Sequence, residues 1–396
     1  MVSRMRIAAR ALAAFAISAL LTGAAWAQTP PGAGQTRQAA QDPQAPKTAP
    51  VAPRPEDQLN ANTVTIISGN PNGTYLFFAY DMAAVLDDGD KLRILPVIGK
   101  GGAQNVRDVL SLHGIDMGIT QSNILRYFSE TGELGANIGD RLRYITRLAN
   151  EEMHLLVRSD VNGIAELKGK KVNFSDIGSG TQTTSRLIFK DLKIEVREVN
   201  MGQADAFEAI RRGEIAATVL IAGKPAGAFA KLQPDPAFKL ISIPYAPELQ
   251  DAYLPATLTS EDYPALIRPD TPINTVAVSA VLAVYNWPPN SDRYRRVAKF
   301  TEAFFKNIEK FRQKPRHPKW NDVNLAAELP GWKRFGAAQE ILSRENAANA
   351  GLKVAFEKFI ALRSPKDAGK ITPARRQELF GTFLEWRAQQ EKAKQP

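Results

Sequence analysis

From residue 63 onward, apolar and polar positions alternate between two periods. Residues 63–68 (TVTIIS) form a short apolar run of the kind that makes a buried strand, and a Gly/Asn turn and an apolar helix through Leu86 are expected after it. Residues 92–98 predict a second strand and 103–112 a helix. Residues 115–120 (IDMGIT) predict a third strand, with a short helix after Gln121. Strands alternating with helices in this way imply a parallel sheet covered on both faces. Ligands of such sheets bind where strand C-termini meet helix N-termini.

Two further apolar runs, 145–148 and 153–158, read as short strands, and the pattern then restarts. Strands are expected at 171–175, 195–200, 215–221 and 239–243, with helices at 180–192 and 202–211. Residues 275–285 (TVAVSAVLAVY) are long enough to cross between two lobes. Ser291 caps a helix whose apolar stripe is Tyr294, Val297, Thr301, Phe304, Phe305, Ile308 and Phe311. Pro315 and Pro318 interrupt the chain. Leu352, Phe356, Phe359 and Ile360 then form a stripe, and Thr372-Pro373 opens a helix carrying Leu379, Phe383 and Trp386. These last helices are expected to pack on the outside of a lobe.

The N-terminus has a different pattern. Arg4, Arg6 and Arg10 precede a short apolar run over 11–21, and Ala25-Trp26-Ala27 supplies a small-x-small cleavage pattern. The run is shorter than the roughly 20 residues a spanning helix needs, so a cleaved signal peptide is expected, with Gln28 as the mature start. Residues 28–62, rich in Pro, Gln and Ala, bury too little to offset ordering entropy and read as a disordered linker. The expected organisation is therefore a signal peptide (1–27), a linker (28–62), lobe 1 (63–152 with 263–312), lobe 2 (153–262) and a helical C-terminal extension (313–396).

Charge and composition narrow the chemistry. The net charge is +10, falling to +7 once three arginines leave with the signal peptide. Basic residues are interspersed with acids and form no run of five, which argues against nucleic acid and leaves a basic soluble surface or a lure for anionic solutes. There is no cysteine, so disulfides and thiol-based metal or nucleophile chemistry are excluded. No phosphate loop, nucleophile elbow or zinc helix occurs. Of the three histidines, His113 and His317 sit in turns, and His154, beside Glu151 and Glu152, has no second ligand at metal spacing. A structural role near a hinge is expected for it.

What remains is a set of polar or Gly-rich turns between strand and helix: 69–75 (GNPNGTY), 99–105 (GKGGAQN), 121–123 (QSN), 178–182 (GSGTQ) and 223–225 (GKP). Glycine admits close backbone approach, and the free amides of a helix start favour negative charge. Each turn alone is compatible with simple capping, but five at the same end of successive strands point to a common site.

In order and content these turns resemble those of the TAXI family, the solute-binding subunits of tripartite ATP-independent periplasmic (TRAP) transporters. The stretches 153–158 (MHLLVR) and 164–172 and the Ala222-Gly223-Lys224-Pro225 segment add to the resemblance, which covers about 63–308. It implies an α/β, type II periplasmic-binding-protein-like fold with two lobes joined by a hinge. It also implies capture of a small organic anion or amino acid, without cofactor or metal, for delivery to TRAP permease membrane subunits, by a monomer. Carried over residue by residue, Gly73, Thr74, Tyr75, Gln104, Gln121, Ser122 and Asn123 would face the solute from lobe 1. Ser179, Gly180, Thr181 and Gln182 would hold a carboxylate from lobe 2, with Lys224 adding charge. Asn123 stands where the family has Asp, Ala103 replaces a serine, and Ala216-Ala217 replaces Asp-Ala, departures that bear on the ligand more than the fold. A sensor of the same fold and an enzyme built on it are the alternative classes.

Overall fold

The computed structural model describes residues 60–71 and 73–363, together with 372, 376, 379, 380, 382 and 383. The expected signal peptide, nearly all of the linker, and Asn72, Pro373 and Trp386 lie outside the described residues.

The first half runs β1 (Thr63–Ile67), α1 (Tyr75–Leu86), β2 (Arg93–Val97), α2 (Gly102–Ser111), β3 (Met117–Gln121), α3 (Ser122–Thr131) and α4 (Ile138–Arg141). β1 lies between β2 and β3 and is parallel to both, with Thr63 opposite Arg93 and Ile66 opposite Met117. β4 (Leu142–Arg158) follows, then β5 (Lys171–Asn173), α5 (Gly180–Asp191), β6 (Arg197–Val199), α6 (Gln203–Arg211), β7 (Ala217–Ala222), α7 (Gly227–Ala230), β8 (Phe238–Leu240), β9 (Leu254–Leu258) and β10 (Ile273–Tyr285). β5 is parallel to β6 and β7.

One sheet contains all ten strands, in the order β2-β1-β3-β10-β4-β7-β5-β6, with β8 on β4 and β9 on β10. Each half thus has a parallel trio with its first strand in the middle. The trios are joined by the antiparallel pair β4 and β10, which run through both halves. At about 3.3 Å per residue, β4 extends for roughly 55 Å. A register shift in the β4–β10 pair between Ser279 and Val281 falls where the strands pass from one half to the other. Such irregularities bend and twist a strand locally.

Residues 145–148 and 153–158 belong to this single 17-residue strand, not to two short ones. Asn150, Glu151 and Glu152 break the apolar pattern, yet each finds a partner inside the fold. β9 was not expected at all, and other boundaries moved by a few residues.

Helix α8 (Asp292–Lys306) starts at Ser291, whose Oγ accepts from the Tyr294 amide (3.1 Å). Val297, Phe300 and Phe304 pack into the first-half core beneath Ile66, Phe78 and Leu282. After α9 (Ile308–Phe311) the chain differs from the external helices expected. Residues 313–335 form a largely irregular strap with one 3-10 turn, Pro318–Asp322. Trp320, Val323 and Phe335 are buried in the same core, and the Trp320 indole donates to Asp81 (2.8 Å). A long helix, α10 (Gly336–Arg363), follows in the extension. Phe356, Phe359 and Ile360 on it pack with Phe383 in a small separate cluster. No helix among the described residues is long and apolar enough to cross a membrane.

Candidate functional site

Four of the five turns converge on one cavity of about 30 Å³ between the halves, lined among others by Gly73, Thr74, Tyr75, Gln121, Ser179, Gly180 and Thr181. At its floor lies Glu151, on the part of β4 that passes between the lobes. Its Oε2 accepts from the Tyr75 hydroxyl (2.6 Å) and from Gln121 Nε2 (2.9 Å). Burial pushes its carboxyl up to about 8; the Tyr75 and Gln121 hydrogen bonds pull the other way, and the Glu152 carboxylate adds to the rise. The same burial, with Glu151 beside it, raises the Tyr75 phenol well above its ordinary value. Near neutral pH, Glu151 is therefore largely a protonated acid in the closed cleft.

The start of α5 lines the same cavity. Ser179 is its N-cap, with Oγ accepting from the Gln182 amide (3.1 Å). The amides of Gly180 and Thr181 lie at the positive end of the helix, beside the cavity. Lys100, exposed and in no ion pair among the described residues, lines it as well.

The lobes meet through the residues expected to hold solute. The Thr74 hydroxyl accepts from the Gly223 amide (2.7 Å), the Gln104 amide donates to Gly178 O (3.2 Å), and Thr184 Oγ1 donates to Gln121 Oε1 (2.7 Å). At the lip, Asn70 Nδ2 donates to Asp176 (2.8 Å). Gly102, at φ +52°, packs so tightly on Gly180 that a Cβ there would run into Gly180 Cα and N. A side chain on Gly180 would in turn meet Gln121 Oε1 at 2.9 Å. These two positions require glycine for backbone approach across the cleft.

The remaining expected residues lie elsewhere. Gln104 Nε2 donates to Asp108 (2.8 Å) on its own helix. Gln182 joins Gly178 and Glu198. Lys224 Nζ turns away from the cavity to Thr257 O (2.7 Å) and Asp262 (3.0 Å). Ser122 and Asn123 line a separate groove, and Asn123 Nδ2 donates to Thr184 (3.0 Å) and Tyr253 (3.2 Å). Thr181 does line the cavity, but its hydroxyl accepts from the Ile221 amide (3.0 Å).

Sequence reasoning missed Glu151, Glu152 and Lys319. Glu152 Oε1 accepts from Lys319 Nζ (2.7 Å) and Oε2 from the Lys224 amide (2.9 Å), so the strap reaches the crossing strand and the second lobe together. Burial alone would lower the Lys319 pKa, but Glu152 and Asp322 hold it above its ordinary value, and it stays cationic. His154 is a core residue, its ring nitrogens engaged by Leu220 O (3.2 Å) and the Tyr263 hydroxyl (2.6 Å), and burial lowers its pKa to about 4. No group of three metal-ligating side chains occurs among the described residues.

Two α/β lobes, a shared pair of crossing strands and helix starts from both lobes facing one cleft define a type II periplasmic-binding-protein-like fold. The chain belongs to the NMT1-like family, whose model matches residues 66–330. That match runs past Arg312 and includes most of the strap. Solved structures similar to the chain include the alkanesulfonate-binding protein SsuA from Xanthomonas axonopodis pv. citri bound to MOPS, at 13% identity and TM-score 0.40, over 71% of this chain and 83% of that one. An ancestral arginine-binding protein bound to arginine matches at 14% identity and TM-score 0.41, over 65% and 98%. A substrate-binding protein of an amino acid ABC transporter from Streptococcus pneumoniae, bound to L-arginine, matches at 11% identity and TM-score 0.39, over 68% and 98%.

Proposed function

We propose that this protein is a secreted, non-enzymatic solute-binding protein that closes on a small amino acid outside the cytoplasmic membrane and delivers it to a TRAP-type permease. The observation that carries the reading is the mixed lining of the central cavity, where a buried acid, Glu151, occurs together with a helix start and Lys100. A solute carboxylate suits the α5 amides and Lys100, and its ammonium suits Glu151. A plain organic acid would leave Glu151 as the neutral acid and bring no positive charge to pair with its ionised form.

Each hydrogen bond to a charged group contributes about 1.5–3 kcal/mol, so three or four suffice for micromolar affinity after association costs. The cavity of about 30 Å³ holds little more than one water. An amino acid therefore enters with the lobes parted and replaces several of the cross-lobe hydrogen bonds. The order of the turns supports the TAXI-type assignment, and the basic N-terminus with its Ala-x-Ala site supports export and signal-peptide cleavage.

Calorimetric titration of L-amino acids against their 2-oxo acid counterparts tests the reading. The amino acid of a matched pair is expected to bind at least tenfold more tightly. Equal or tighter binding of the oxo acid would overturn the assigned polarity. Co-purification with a permease tests the transport partner.

A further inference from the structure

A larger groove of about 430 Å³ lies beside the central cavity, and the Gln121–Thr184–Asn123 hydrogen bonds stand between them. Its size falls within the usual range for small-molecule sites. One wall comes from the first lobe and the strap, with Asn123, Arg147, Leu329 and Trp332; the other comes from the second lobe, with Tyr253 and Leu254.

Arg147, on β4, dominates its electrostatics. The guanidinium donates to the Ser279 hydroxyl and, at 3.5 Å, to Glu328 O, while among the described residues Nε has no partner and no carboxylate pairs with it. A guanidinium has five donors in a planar fork suited to a carboxylate, so most of its capacity is unused. The other charges at the groove are Arg126, paired with Glu130 at 2.6 Å, and the exposed Asp251. Asn123, 4% exposed, has a buried Oδ1 with no hydrogen-bond partner. Trp332 and Leu329 supply apolar surface beside these groups.

We propose that this groove is a second binding site, for a small organic carboxylate with an apolar or aromatic body. The carboxylate seats on Arg147, the body lies against Trp332, and a hydroxyl or amino substituent satisfies Asn123 Oδ1. Because both lobes line the groove, its occupant favours the closed state and so strengthens binding in the central cavity, and the reverse holds by linkage.

The test titrates the full mature chain with benzoate, 4-hydroxybenzoate, indole-3-acetate and succinate by calorimetry. At least one aromatic member should bind with a dissociation constant below about 1 mM. Arg147→Gln should weaken it at least tenfold, and Trp332→Ala, on the strap surface, should do so independently. Melting curves of both variants verify the fold. Glu151→Gln should leave this binding in place, so a failure of the amino-acid reading is distinguishable from a failure of the groove. If no member binds, or if binding ignores both substitutions, the proposal is wrong.

Discussion

Glu151 and Glu152 are neighbours on one strand, both almost fully buried, and they are treated in opposite ways. Successive side chains leave opposite faces of a strand. Glu152 meets the ammonium of Lys319, held in turn by Asp322, and a backbone amide from the second lobe. Glu151 meets a phenol and a carboxamide, with no cation in contact, and borders a cavity. A buried acid with a built-in counter-ion is part of the frame. A buried acid given only neutral donors is poised to accept a positive charge from outside.

The largest effect expected from this contrast is at Lys319. Lys319→Met leaves Glu152 buried without its cation, which should cost about 3–5 kcal/mol in denaturant unfolding. The double variant with Glu152→Gln should recover most of that loss. If Lys319→Met is nearly neutral, the pair does not hold the frame together.

Glu151→Gln should act on the other side of the comparison. Amino-acid affinity should fall by about 1.5–3 kcal/mol, roughly ten- to hundredfold, with little loss of stability. The pH dependence follows from the raised pKa of about 8. Its folded value exceeds the unfolded value near 4.3, so the stabilising contribution is complete below that value and is lost as pH rises through about 8. Melting temperature of the ligand-free protein should therefore decline across this window, and Glu151→Gln should flatten the decline. An ammonium ligand needs the ionised acid, so affinity should rise with pH up to about 8.

Gly102→Ala probes the cleft itself. The added carbon meets Gly180 and imposes a strained φ, so the lobes should close incompletely. Small-angle scattering should show less compaction with solute, and affinity should drop roughly tenfold. Lys224→Met should have the smallest effect. Its half-buried ion pair with Asp262 lies away from the cavity, so stability should change by less than about 1 kcal/mol and affinity hardly at all.

Much of the frame was legible because apolar periodicity reports it directly. The 63–68 run became β1, Ser291 capped its helix, and 275–285 fell within a strand that passes through both lobes. Glu151 was illegible for the same reason. A polar triplet in an apolar run reads as a break, and only the crossing geometry shows that its side chains point into partners. Glycines 102 and 180 were visible as turn residues, but their mutual contact joins positions far apart in sequence. Gln104, Gln182 and Lys224 had suitable chemistry at suitable turns, yet local or second-lobe acceptors captured their side chains. Lys319 directly follows Pro318 in a segment without period, where nothing in the pattern points to a long-range partner.

The hydrogen bond from Asn70 to Asp176 at the lip has a practical consequence. The natural chain contains no thiol, so a cysteine placed at position 176 would be unique and could carry one environment-sensitive dye. That dye would sit in water with the lobes apart and against the first lobe with them together. Fluorescence intensity would then report occupancy of the cleft in real time, and the protein would serve as a reagentless optical sensor for its solute.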